Sequence, residues 1–151
     1  MGGIFNNLTV EMIEEFLLSV DDTFPTPISK KQKIKDFSQK LFNYATICVE
    51  VEENKIASMV AGYTDNLMDG MAYISIVATH CKAQGRGLAS NCIKRFIDVC
   101  REKEISAVHL YTDRSNEIAK TMYRKIGFVK YEPEFEARPN DIHLIYRIEM
   151  E

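Results

Sequence analysis

The chain has 151 residues, a net charge of −3, and 46% hydrophobic and 27% charged residues. This length and composition predict one globular domain over residues 1–151 with a substantial apolar core. The negative charge argues against a nucleic-acid partner, and the lack of an apolar run of about 20 residues argues against a membrane-spanning helix.

The four cysteines show no sign of metal binding. They form no C-x-x-C pair, and no histidine lies at ligand spacing from two of them; they are Cys48, Cys81, Cys92 and Cys100. We therefore expect reduced, mostly buried thiols and no metal site. The first residues carry neither a basic start nor a long apolar stretch, so no secretory signal is visible and a cytoplasmic location is expected.

The amino-terminal part of the chain predicts two helices. Apolar residues recur at helical spacing over residues 9–20. Pro25 and Pro27 then interrupt the pattern, because proline does not fit a helix interior. Ser29, with Gln32 three residues later, has capping-box spacing and predicts the start of the second helix.

Strands dominate the middle of the chain. Residues 44–65 predict a hairpin whose turn lies near Glu53 and Asn54. A second turn is expected at Asp69 and Gly70, followed by the largely apolar strand AYISIVAT.

The second half alternates helices and strands. A helix over about residues 85–103, the strand AVHLYT, and a helix over residues 116–126 follow in order, and Gly127 ends the last helix. The stretches FVKYEPEF and IHLIYRIEM predict two closing strands. This order predicts an α+β fold with a mixed sheet covered by helices on both faces.

Two glycines mark the turn between AYISIVAT and the next helix, in the stretch HCKAQGRGLASNCIKRF. Free N–H groups at a helix start bind phosphate, and glycine lacks the Cβ that would hold a phosphate away. A tight turn without a ligand is the alternative. The stretch lacks the Walker pattern, and Ser90 stands where the G-x-G-x-x-G dinucleotide pattern needs its third glycine.

Two motifs resemble the GNAT superfamily, the GCN5-related N-acetyltransferases. Gln84-x-x-Gly87-x-Ala89 resembles the acyl-CoA loop of that family. A second match follows downstream, in the expected order and separation, at Asn116, Ala119, Tyr123, Gly127 and Phe128. The resemblance covers about residues 45–150. It implies a mixed, mostly antiparallel sheet of six or seven strands with helices on both faces.

The resemblance also implies acetyl-CoA as co-substrate, without a metal. Tyr123 matches the family's general acid, although a core aromatic is the alternative at this position. Asn116 is either a coenzyme contact or only a helix cap. The implied coenzyme-binding set is Val77, Ala78, Thr79, Gln84, Gly85, Arg86, Gly87, Leu88, Ala89, Ser90, Asn116, Ala119 and Tyr123.

The chain departs from the family pattern at two places. Several members place a glutamate where this chain has Tyr73, and the strand AYISIVAT contains no carboxylate, so the general base is unassigned. By alternation, Tyr73 and Ser75 are expected to share a face with Val77 and Thr79, where they could relay a proton through water. A route through water alone is an equal alternative. The family's first strand would have to lie in GIFNN, so we expect it to be absent or atypical, and the sequence leaves its presence open.

The family's acceptor site lies between the first two helices and the last two strands. Those parts of the chain carry six acidic residues, Asp21, Asp22, Glu132, Glu134, Glu136 and Asp141. The expected function is acetyl transfer to a primary amine of a small molecule or peptide, favoured by this acidity unless it is only a solvated surface. A non-catalytic acyl-CoA-binding or sensing module is the alternative. Because many relatives pair, a homodimer is also an expectation.

Overall fold

Six strands and four helices are present in the computed structural model, which describes residues 7–67 and 69–149. The strands are β1 Thr46–Glu52, β2 Lys55–Tyr63, β3 Ala72–Thr79, β4 Ala107–Thr112, β5 Val129–Lys130 and β6 Ile142–Arg147. The helices are α1 Val10–Val20, α2 Ile34–Tyr44, α3 Leu88–Glu102 and α4 Glu117–Ile126. Their order along the chain is the predicted one.

The sheet is mixed, with the strand order β1-β2-β3-β4-β6-β5. Neighbouring strands are antiparallel except β3 and β4, which are parallel. Helices α1 and α2 pack on one face, over a core that includes Leu17, Leu41 and Met59. Helix α3 covers the other face with Ile93 and Phe96. The predicted α+β fold, with a mostly antiparallel sheet between helices, is confirmed.

The second helix begins later than predicted, at Ile34. Ser29 lies instead in a 3-10 turn, where its N–H and hydroxyl donate to the carboxylate of Asp21 at 3.0 and 2.6 Å. Because this side chain is held by the end of α1, it caps no helix, and the prediction from Ser29 and Gln32 is wrong. Lys33 precedes α2 without a side-chain cap.

Several predicted boundaries follow backbone conformation. The hairpin turn is confirmed, since Glu53 and Asn54 have left-handed φ angles of 52° and 64°. Gly127 ends α4 as predicted and donates to the carbonyl of Tyr123 at 3.1 Å. The FVKYEPEF strand is much shorter than predicted, because only Val129–Lys130 pairs with β6.

A β-bulge in β3 moves side chains to the opposite face of the sheet. Ala61 pairs with Ile76 and Gly62 with Ile74, so Ser75 has no partner on β2. Ile74 consequently packs in the core under α3, whereas Ile76 packs in the core under α1 and α2.

The prediction that Tyr73 and Ser75 share a face of the sheet with Val77 and Thr79 is therefore wrong. Tyr73 faces the α1 and α2 side, where its ring lies 5.2 Å from that of His109. Val77 packs on the α3 side, and Thr79 bonds there to the hydroxyl of Ser58 at 2.9 Å. The inserted residue shifts the alternation by one, which a strict period of two does not anticipate.

Strands β3 and β4 separate soon after they meet. They pair only at Ala72 with Val108 and at Tyr73 with His109. From Ile74 to Thr79, β3 has no partner on its β4 side within the described residues, so the sheet opens into a cleft between these two strands.

Among the helices of the described ranges, none has the length and apolar character that a bilayer span requires. The expectation about a first strand in GIFNN falls almost wholly on residues 1–6, which lie outside the described residues.

Gly62 allows β2 to approach both the bulge and α3. A Cβ at this position would lie 2.5 Å from the carbonyl oxygen of Tyr73 and 2.7 Å from Cζ of Phe96. Because the first neighbour is backbone, Gly62→Ala should lower the free energy of unfolding by about 1–3 kcal/mol. Urea denaturation measures the loss, and an unchanged midpoint would contradict the tight approach.

Candidate functional site

A cavity of about 330 Å³ lies where β3 and β4 separate. Its walls come from both strands, from the loop before α2, from the start of α4 and from the loop before β6. Of the residues predicted for the site, Val77, Asn116 and Tyr123 line this cleft. Tyr73, Ser75 and Asp141, which the sequence also singled out, line it as well.

The glycine turn before α3 leaves its backbone open. Gly85 and Gly87 have φ angles of +80° and +76°, and a Cβ on either would meet no atom within 4 Å. The first paired amide of α3 is that of Asn91, which donates to the carbonyl of Gly87 at 3.1 Å. The preceding amides of Leu88, Ala89 and Ser90 therefore lie before the first helical hydrogen bond, where an anion is favoured.

Other predicted coenzyme residues lie near this turn but have their own contacts. Arg86 pairs with Glu52 at 2.7 Å, and its hydrogen bond lowers the pKa of that carboxyl. Ala78 is buried in the α1 and α2 core, so only its backbone faces the open edge of β3. Ala119 packs against the core under α3.

Tyr123 is held in the wall of the cleft by α4. Asn116 caps this helix, because its side chain accepts from the N–H of Ala119 at 3.1 Å. Tyr123 is only 5% exposed, and its ring lies 5.7 Å from that of Phe128. Burial alone raises the pKa of Tyr123, so its hydroxyl keeps its proton at neutral pH.

A hydrogen-bonded group that the sequence did not reveal lies on the α1 and α2 side of the sheet. We call Tyr111, Glu136, His143 and His109 the histidine network. The Tyr111 hydroxyl donates to Oε1 of Glu136 at 2.6 Å, and Oε2 lies 2.9 Å from Nδ1 of His143. Nε2 of His143 lies 2.7 Å from Nδ1 of His109. Tyr111 also lines the cleft.

The histidine network shifts the acidities of its members. The hydrogen bond from Tyr111, helped by the backbone of Arg138 and by His143, lowers the pKa of Glu136 to about 2 against the opposing effect of burial. Burial and then Glu136 raise the pKa of Tyr111. Burial, together with His143, lowers the pKa of His109, although Asp69 and Glu136 oppose this. Glu136 is thus ionised and Tyr111 protonated at neutral pH.

The cleft is not strongly acidic. Of the six acidic residues expected at the acceptor site, only Asp141 lines it, and Arg138 binds its carboxylate at 2.5 Å. Asp113, which the sequence analysis did not select, also lines the cleft, as does Lys31. The charged side chains that line the cleft are therefore two carboxylates and two cations. In the ranges 7–67 and 69–149, no three His, Cys, Asp or Glu side chains are grouped to hold a metal ion.

Solved structures share this fold at low sequence identity. Ard1 from Thermoplasma volcanium superposes with a TM-score of 0.75 at 17% identity, over 99% of this chain and 100% of that one. The PaiA N-acetyltransferase from Thermoplasma acidophilum, in complex with coenzyme A, gives 0.73 at 12% identity, over 95% and 97%. The ribosomal-protein-S18-alanine N-acetyltransferase from Escherichia coli gives 0.70 at 15% identity, over 95% and 92%.

No match is found among curated proteins. The model of the Acetyltransferase (GNAT) family, in contrast, matches residues 12–128, which is most of the chain. The match includes the glycine turn, the start of α4 and Tyr123. The chain belongs to the GNAT family of acetyltransferases.

Proposed function

We propose that this protein transfers an acetyl group from acetyl-CoA to a primary amine of a small molecule or peptide. The observation that carries the proposal is the cleft between β3 and β4, which has a buried, protonated Tyr123 in its wall. Family membership supplies the coenzyme, and the glycine turn at the start of α3 offers the amides that its diphosphate requires.

The residues at the cleft fit coenzyme A chemically. Gln84 to Ser90 would hold the diphosphate, because the Cβ positions of Gly85 and Gly87 are open and the amides of Leu88 to Ser90 precede the first helical hydrogen bond. The unpaired edge of β3 at Val77, Ala78 and Thr79 would bond the amides of the pantetheine arm as an added strand does. Asn116, Ala119 and Tyr123 would contact the coenzyme from α4.

Direct transfer needs one proton removed and one supplied. The thioester provides the activated acyl carbon, whose C–S bond breaks as the amine nitrogen forms the new C–N bond. Tyr123 gives its hydroxyl proton to the departing sulfur, and the amine must lose a proton before or during attack. No residue is assigned as the base, so the amine proton leaves to solvent water, from which Tyr123 recovers its own proton.

The relatives support an amine acceptor without selecting its class. The Escherichia coli structure is named as a ribosomal-protein alanine acetyltransferase, which favours a peptide amine. At 15% identity that likeness concerns the fold alone. The cleft also suits a small polar amine, because its lining has two cations and two carboxylates. They are Lys31, Arg138, Asp113 and Asp141.

A sensing module that binds acyl-CoA without turnover is the second candidate. The observation that favours it is Tyr73, which replaces the strand carboxylate of several family members. The two candidates agree on coenzyme binding and differ on acetyl transfer.

Coenzyme binding can be tested at the glycine turn. Gly87→Glu places a carboxylate in front of the free amides, and repulsion should raise the Kd for coenzyme A at least about tenfold in calorimetry. Gly70→Glu is a matched control, because Gly70 has a φ of +75° and equal open space on a different turn. Equal Kd values for the two variants would place the diphosphate elsewhere.

Acid catalysis can be tested with Tyr123→Phe. We expect kcat to fall about a hundredfold or more, with a Kd for acetyl-CoA within about threefold of the wild type, because the ring and its contacts are kept and only the donated proton is lost. Turnover should be followed by chromatography of released coenzyme A, since the exposed Cys81 would react with thiol reagents. Tyr44→Phe, at a surface tyrosine 70% exposed, is the control.

The outcomes separate the candidates. Undiminished turnover in Tyr123→Phe would remove the acid assignment. If the wild type binds acetyl-CoA but acetylates no alkylamine, amino sugar or peptide amine, the sensing module is favoured.

A further inference from the structure

Tyr111 lines the cleft, and its hydroxyl gives its hydrogen to a carboxylate. It donates to Oε1 of Glu136 at 2.6 Å, while the same residue lines the cleft. A phenol has one hydrogen and two acceptor lone pairs. Once that hydrogen is used, Tyr111 presents only acceptor capacity to a molecule in the cleft.

Neighbouring groups determine the direction of each hydrogen bond in the histidine network. An ionised carboxylate only accepts, so Nδ1 of His143 must carry the hydrogen that it shares with Glu136 at 2.9 Å. In a neutral imidazole the other nitrogen is then an acceptor, and Nδ1 of His109 must donate to Nε2 of His143 at 2.7 Å. The remaining acceptor, Nε2 of His109, lies 3.9 Å from Asp69.

Packing holds the network in place. The Tyr111 ring stacks on His143 with centroids 4.1 Å apart, and Tyr131 meets His143 at 4.9 Å. Arg138 lies 4.9 Å over the Tyr111 ring and donates its backbone N–H to Oε1 of Glu136. The carboxylate is therefore fixed from two sides, and the phenol cannot turn its hydrogen toward the cleft without losing this bond.

The two carboxylates in the cleft each use one oxygen in a contact within the protein. Asp141 is bound to Arg138 at 2.5 Å. Asp113 accepts from the N–H and hydroxyl of Ser115 at 2.9 and 2.5 Å. Tyr111 differs from them because its hydrogen is held by Glu136. Its oxygen can therefore only accept a hydrogen bond from a molecule in the cleft.

We propose that Tyr111 binds the acceptor amine through its oxygen lone pairs, and that Glu136, His143 and His109 are positioning residues that keep its hydrogen away from the cleft. This inference rests on the proposed function and assigns a specificity-determining residue to the acceptor side. Amine N–H groups are donors, so a tyrosine held as an acceptor favours them over molecules that present only acceptors.

The histidine tautomers show directly which nitrogen donates in each hydrogen bond of the histidine network. Long-range ¹H–¹⁵N spectra at about pH 8 should show Nδ1–H at His109 and His143. His80 is an internal control of the opposite kind, because its Nδ1 accepts from the N–H of Lys82 at 3.1 Å. Its tautomer should therefore be Nε2–H.

Glu136→Gln should reverse the tautomers. The amide oxygen can still accept from Tyr111, whereas the amide nitrogen now donates to Nδ1 of His143. Both network histidines should then change to Nε2–H, while His80 stays unchanged. An Nε2–H tautomer at His143 in the wild type, or no change in the variant, would overturn the inference.

The amine contact is tested with Tyr111→Phe, using the best acceptor among alkylamines, amino sugars and peptide amines. The KM for that amine should rise by up to about tenfold, with kcat changed less than about threefold, as expected for one lost hydrogen bond. Tyr131→Phe is the matched control, because it contacts the same His143 but does not line the cleft.

An unchanged KM in Tyr111→Phe, in an enzyme that binds and uses acetyl-CoA, would reject the Tyr111 contact alone. A wild type that acetylates no amine would reject the proposed function instead. The two failures are thus distinguishable.

Discussion

The bulge at Ser75 and the separation of β3 from β4 determine where the groups of the cleft lie. The extra residue turns Tyr73 toward the α1 and α2 side and Val77 toward the α3 side. Because β4 pairs with β3 only at Ala72 and Tyr73, the rest of β3 keeps an unpaired edge. An open edge is normally a hazard, and here it would be covered by the amides of a bound arm.

The separation also gives the two sides of the cleft different chemistry. On the α4 side, Tyr123 is buried with no compensating charge, so burial alone raises its pKa. On the opposite side, Tyr111 is tied to an ionised Glu136, whose pKa is held near 2. The fold thus places two tyrosine side chains in environments that differ in charge and in hydrogen bonding.

Local signals in the sequence predicted local structure well, and long-range contacts limited the rest. The order of elements, the turn at Glu53 and Asn54, and the helix end at Gly127 depend on neighbouring residues and were predicted. Ser29 had the spacing of a cap but is held by Asp21, a contact that no local pattern reveals. His109 and His143 meet only because β4 pairs with β6 in one particular register.

If both proposals hold, Tyr123 and Tyr111 together indicate how the two reactants are oriented in the cleft. A departing thiolate needs a hydrogen, and Tyr123 has one that the described residues do not engage. An incoming amine offers hydrogens, and Tyr111 has lone pairs free because Glu136 takes its own hydrogen. Donor and acceptor would then face each other across the cleft, so the amine is oriented with its N–H groups toward Tyr111 and its lone pair toward the acyl carbon. Orientation of this kind would assist attack, but it does not remove the amine proton, so neither tyrosine substitutes for the carboxylate that Tyr73 replaces on β3.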